Sequence, residues 1–186
     1  MQSLYLEPLR ERAMKNGGRV YQNGPDFALL IDVKSGAEPT YAALRDVLRQ
    51  YAGILTAFRT NATEANAVTV IISGNRARAT MAAETLRYAA YDGRLEDLDS
   101  TAPVHFIAWI SSDWTQGFRW RGDGPMPENE RTKLRQIVGK AHQYGRRVRF
   151  WATPELPAVW RELLAADVDL INTDDLAGLE RFLRQQ

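Results

Sequence analysis

An acid and a base one residue apart, Asp32 and Lys34, close the apolar run DFALLIDVK between Asp26 and Lys34. A carboxylate there can ligate a cation or accept a proton, and an ammonium two residues on can hold an anionic ester oxygen as a point charge. If the run is a strand, alternate residues share a face, so the two side chains point the same way. Three more carboxylates, Asp92, Asp113 and Asp174, follow strand ends or candidate strand ends. With Asp32 they could offer Mg²⁺ or Ca²⁺ several oxygens, water and phosphate supplying the rest. Each of the three also has a plainer role. Asp174 and Asp175 precede a helix they could cap, and Asp92 and Asp113 stand in turns, where Asp is common. Asp32 has no such role, because an acid ending an apolar strand bears a cost of burial and has no helix to cap at once. Arg76 could join Lys34 on a phosphate as a bidentate fork, or Lys34 could simply pair with Asp32. Trp114 and Trp151, with Trp120, could wall a pocket or belong to core or interface.

Positioning these groups requires buried strands with helices between them. The run from Asp26 to Lys34 reads as a strand apolar on both faces, as does VTVIIS from Val68 to Ser73. An amphipathic N-terminal stripe of Leu4, Leu6, Leu9 and Ala13 stops at Asn16-Gly17-Gly18 and predicts a helix. Glu38-Pro39-Thr40 opens another through Tyr51, and Ala77 to Thr85 reads as a short one. Leu86 to Tyr91 and Val104 to Ile110 are two further apolar stretches, the second equally a strand or a buried loop. Gln116 to Pro127, rich in Gly and Pro, reads as a long functional loop ahead of a helix from about Glu128 to Tyr144. Strands at Arg147 to Trp151 and Val168 to Asn172 alternate with helices at Ala158 to Ala166 and Ala177 to Leu183. The basic run Arg146, Arg147 and Arg149 precedes a strand and reads as solvated charge.

Alternating strands and helices predict an α/β fold with a parallel sheet of five to six strands. Either an open doubly wound sheet or an arc of a (β/α) barrel satisfies that pattern. The absence of a Walker loop or GxGxxG after any strand favours the barrel arc, a truncated TIM-type barrel. At 186 residues, 45% hydrophobic and 25% charged, the chain is expected to form one domain, 1–186, around one substantial core. Its formal charge of +1 gives no electrostatic reason to seek nucleic acid or anionic membrane. Without cysteine there is neither disulfide nor thiolate chemistry. No signal-peptide core and no run of eighteen apolar residues is present, so the expectation is a cytoplasmic chain without a membrane span.

The succession LLIDVK, VTVIISGNR, VRFWATPE, VDLINTDDL resembles the later strands of the glycerophosphodiester phosphodiesterase and phosphatidylinositol-specific phospholipase C-like superfamily of barrels. That resemblance implies a hydrolase of phosphodiesters in which Asp32 is a metal-ligating carboxylate, Lys34 a substrate-binding lysine and Trp151 an aromatic lining the pocket. The Asp-x-Lys spelling is closest to spider-type sphingomyelinases D. The family's first strands, with their histidine pair and Glu-x-Asp pair, have no counterpart here. His105 lies early in its apolar segment and His142 on a helix, and both read as structural or solvated.

Two functions are therefore expected to compete. One is a metal-dependent phosphoric ester hydrolase acting on small or activated phosphoesters, with Asp32 and Lys34 catalytic. In it Asp32, Asp174, Asp113 and Asp92 are the metal candidates, and Lys34, Arg76, Trp114 and Trp151 bind substrate. The other is a catalytically inactive, self-associating barrel fragment. Because such an arc cannot close on itself, its edge strands predict a homodimer, with like edges paired antiparallel or two open barrels face to face, and an apolar interface on the order of 2,000 Å² or more; the alternative is that the N-terminal helix and the Gln116 to Pro127 loop plug the gap within one chain.

Overall fold

The computed structural model describes residues Met1–Gln186. Backbone contacts divide them into two compact units, Met1–Asp92 with His105–Ala108, and Gly93–Val104 with Trp109–Gln186.

In the first unit a wide turn at Gln2–Leu6 leads into helix α1 (Glu7–Lys15), which buries Leu9 and Ala13 and ends at Gly17, φ +67°. Strand β1 (Phe27–Val33) follows, then α2 (Ala37–Arg49), β2 (Ala57–Arg59), β3 (Ala62–Glu64), β4 (Val68–Gly74), α3 (Arg78–Ala83), β5 (Leu86–Arg87) and β6 (Ala90–Gly93). Val68, Val70, Ile71 and Ile72 are wholly buried, as expected of a strand with water on neither face. β1 pairs with β4 in parallel from Phe27 opposite Val68 to Val33 opposite Gly74, and β4 pairs with β6 at Ile72 opposite Tyr91. β2, β3 and β5 form a separate antiparallel sheet, order β3-β2-β5.

In the second unit β7 (Ile107–Asp113), whose first two residues belong to the first unit, is followed by α4 (Trp114–Gly117), α5 (Glu128–Gln143), β8 (Arg147–Trp151), α6 (Pro157–Ala165), β9 (Leu170–Ile171) and α7 (Leu176–Leu183). β8 lies parallel to both β7 and β9. The main sheet reads β1-β4-β6-β7-β8-β9, six strands in chain order. An open doubly wound sheet reverses its strand order near the middle. Here it never reverses, so the fold is α/β with the progression of a truncated TIM-type barrel.

Several local expectations are corrected. Leu86 to Tyr91 is not one strand: Leu86–Arg87 pairs with the β2 hairpin, and the main-sheet strand starts at Ala90. The second apolar stretch is a strand, shifted to Ile107–Asp113 because Ser111 continues the burial at 0% exposure. Gln116 to Pro127 is a packed connection, with Phe118, Trp120 and Met126 buried and the Glu130 carboxylate accepting from the Arg119 and Trp120 amides. Arg146, expected in solvent, is 1% exposed. Its guanidinium donates to the carbonyls of Asp97 (2.6 Å), Ser100 (2.5 Å) and Ala102 (2.9 Å), which replace the water that a charge needs.

Candidate functional site

In the first unit, three strands end beside one another and bring their terminal residues together. Asp32 of β1 stands opposite Ser73 of β4, and Ile72 opposite Tyr91 of β6. The expected acid–base pair forms: Lys34 Nζ lies 2.7 Å from Asp32 Oδ2. Both side chains are open, 81% and 47% exposed, so the burial cost argued for Asp32 does not apply. What fixes the acid is the backbone beside it. A Cβ on Gly74 would come within 2.3 Å of Asp32 Oδ1 and of the Val33 carbonyl, and φ there is +70°, so the position admits glycine and little else. The Asn75 amide closes the turn by donating to Val33 O (2.8 Å), and its side chain holds Ser35 O (2.9 Å).

Asp92 is not in a turn. It is 0% exposed within β6, where Ser73 Oγ donates to its Oδ2 at 2.6 Å, and that hydrogen bond makes burial of the acid tolerable. Arg76 folds back over the strand ends. Its Nε donates to Gly74 O (3.1 Å), its Nη1 donates to Asp92 O, and its guanidinium lies 4.8 Å from the Tyr91 ring centre. Arg78, outside the expected set, lies 5.0 Å from the same ring. Strand-end guanidiniums on an aromatic face are a place where an anion can be held. The signal for Arg78 was present in GNRAR, two residues beyond Arg76.

The second unit sorts its expected residues differently. Asp113 caps α4: its Oδ1 accepts from the Thr115 amide (2.8 Å) and hydroxyl (2.7 Å), the plainer of its two roles. Trp114 is core, wholly buried, stacked on Phe118 at 4.1 Å and edge-on to Phe150 at 5.7 Å. Trp151 is only partly buried, with the guanidinium of Arg94 5.0 Å and that of Arg149 5.9 Å from its ring centre. Ala152 after it has φ +54°, a conformation rare for a residue with a Cβ. Asp174 is exposed, and the cap of α7 is Asp175, which accepts from the Gly178 amide (2.8 Å).

A carboxylate absent from the expected set organises this end. Glu155 Oε1 accepts from the Thr173 hydroxyl (2.7 Å) and from the amides of Asp174 and Asp175, and these donors hold its pKa below the usual carboxylate value. Asn172 Oδ1 accepts from Arg149 (2.6 Å), and Asn172 O accepts from the Thr153 hydroxyl (3.2 Å). The loops after β8 and β9 are thus tied together.

Both histidines have partners within the chain. His142 Nε2 contacts Asp169 Oδ2 at 2.9 Å, and His105 has its carbonyl bound by Arg87 (2.6 Å) while burial, then Arg87, push its imidazole pKa down. No three His, Asp or Glu residues gather closely enough to hold a metal ion.

Residues 147–177 match the sequence model of the glycerophosphoryl diester phosphodiesterase family. The matched span runs from the start of β8 into the start of α7 and contains VRFWATPE and VDLINTDDL, the last two motifs of the expected series. No curated protein and no solved structure matches the chain significantly.

Proposed function

We propose that the chain binds and hydrolyses a small or activated phosphoric ester at the strand ends of its first unit. The match of residues 147–177, in the second unit, to a phosphodiesterase family carries the reaction class, and the acid–lysine pair at the end of β1 carries its placement in the first unit. Lys34 meets a phosphoryl oxygen as a mobile point charge. Arg76, anchored on Gly74 O and Asp92 O, adds a fixed one, and both oppose the negative charge that builds on the phosphoryl oxygens. The Asp32 carboxylate takes the proton of the attacking water. Water oxygen bonds to phosphorus as the ester P–O bond breaks, and the leaving oxygen departs as an aryl oxide, or takes the proton back from Asp32 and departs as an alcohol. The chain itself supplies anion binding and proton handling.

Bis(4-nitrophenyl) phosphate tests this. Asp32→Ala should lower kcat by roughly 100-fold, the usual reach of general-base assistance. Lys34→Ala should raise KM. Turnover that survives Asp32→Ala removes Asp32 from the mechanism. Loss of turnover in EDTA, restored by Mg²⁺ or Ca²⁺, would add a divalent cation to the reaction; turnover indifferent to EDTA would exclude that addition. A second reading, a non-hydrolysing relative of the family, is favoured by the scatter of the acids. It predicts no turnover above buffer for the unaltered chain.

A further inference from the structure

β1 is the end strand of the main sheet, with β4 on one side and no strand on the other. Natural edges are blunted by brevity, proline, bulges or inward charge. β1 has none of these along Phe27–Ile31: it is seven residues long, lacks proline, and keeps unbroken register with β4 from Phe27 to Val33. Phe27 to Ile31 are all partly exposed. Next to them Leu4 and Tyr5, 74% and 53% exposed, share with Phe27 and Leu29 an apolar groove of about 280 Å³.

The backbone says which groups are open. The Val33 carbonyl accepts from Asn75, so Val33 turns towards β4. Residues alternate along a strand, so Ala28, Leu30 and Asp32 turn their N–H and C=O groups to the unpaired side. We infer that β1 pairs antiparallel with β1 of a second copy of this chain across a two-fold axis at Leu30.

Charge selects the register. In a symmetric antiparallel pair, open residues must face open residues, which leaves axes at Leu29, Leu30 or Ile31. An axis at Leu29 sets Asp26 against Asp32 of the partner copy, a like-charge pair. An axis at Ile31 sets Lys34 against Ala28 and leaves Asp26 beyond the strand. Only the axis at Leu30 sets Asp26 against Lys34, twice, while Phe27 meets Val33 and Leu29 meets Ile31 as apolar cross-strand pairs. Ala28, Leu30 and Asp32 then exchange six backbone hydrogen bonds with their counterparts. Asp26 and Lys34 are 76% and 81% exposed, and pairing across the axis exchanges their ion pairs within the chain, with Arg19 and Asp32, for each other; an ammonium engaged there does not bind phosphate, so the second copy and the proposed substrate compete for Lys34.

The whole chain contains no cysteine, so single introduced cysteines report the axis. Oxidised Leu30→Cys should run as a covalent dimer, because opposed residues of a hydrogen-bonded pair lie about 5.5 Å apart at Cα, within disulfide range. Ala28→Cys should stay monomeric under the same oxidation. By light scattering, the unaltered chain at micromolar concentration should weigh twice its 21.0 kDa. Lys34→Asp should shift the dimer–monomer midpoint to at least tenfold higher concentration, and Asp26→Lys in the same chain should shift it back. A monodisperse 21.0 kDa species overturns the inference. So does a dimer indifferent to the charge exchange, which would assign association to another face, and so does a stronger cross-link at Ala28 than at Leu30.

Discussion

Glu155 shows how one carboxylate can join two loops. It accepts from the Thr173 hydroxyl first and the Asp174 and Asp175 amides besides, and all three favour its ionised form. A group whose folded pKa lies below its unfolded value contributes stability above the unfolded pKa and loses it as pH falls through the folded one. The melting temperature of Glu155→Gln should therefore lie below that of the unaltered chain at pH 7, and the gap should close as the pH is taken below the ordinary carboxylate range. A gap that stays constant in thermal melts from pH 7 to pH 3 would mean that the ionised carboxylate is not what joins the loops. Asp32 and Lys34 were legible in the sequence because strand alternation alone sets them on one face. Asp92 was not, because Asp-Gly after an apolar run has the composition of a turn, and nothing local reveals that Ser73, nineteen positions earlier, satisfies the buried acid.

The loop from Asp97 to Ala102 owes its course to an element distant in the chain, the start of β8. Three of its carbonyls surround the Arg146 guanidinium. Arg146→Met keeps the length of the side chain and removes the donors, leaving carbonyls short of partners. The expected loss of unfolding free energy is about 3 kcal/mol, the upper range for hydrogen bonds to a charged group, read from urea denaturation at pH 7. A change under about 0.5 kcal/mol, ordinary for a surface substitution, would mean that water replaces the guanidinium without penalty. Local sequence hid this role, since an arginine flanking a strand reads as solvated and its partners are main-chain atoms over forty residues away. β4 was legible for the opposite reason: an apolar run ending in Gly carries its own signal. β2 and β3 are three residues each, too short for periodicity to show, and their hairpin exists through pairing with each other and with β5.

Across the whole molecule, charge is almost balanced: 24 basic against 23 acidic side chains, with a sequence pI of about 8.0. Net repulsion between copies is therefore least in mildly alkaline solution. Turbidity of a concentrated sample should peak near pH 8 and fall towards pH 6 and pH 10; a flat profile would show that apolar contacts alone govern solubility. No helix is long and apolar enough to cross a membrane, as the hydropathy implied. Alternation of strands and helices is common to an open sheet and a barrel arc, so strand order was legible only through the missing phosphate loops, which favoured the barrel arc, as the strand contacts bear out. The order β1-β4-β6-β7-β8-β9 also bears on how the chain is made. Each strand pairs with the main-sheet strand before it, so a chain emerging from the ribosome finds every new strand's template already synthesised. Synthesis can extend the sheet at one growing edge, and no strand has to wait for a partner that has yet to be translated.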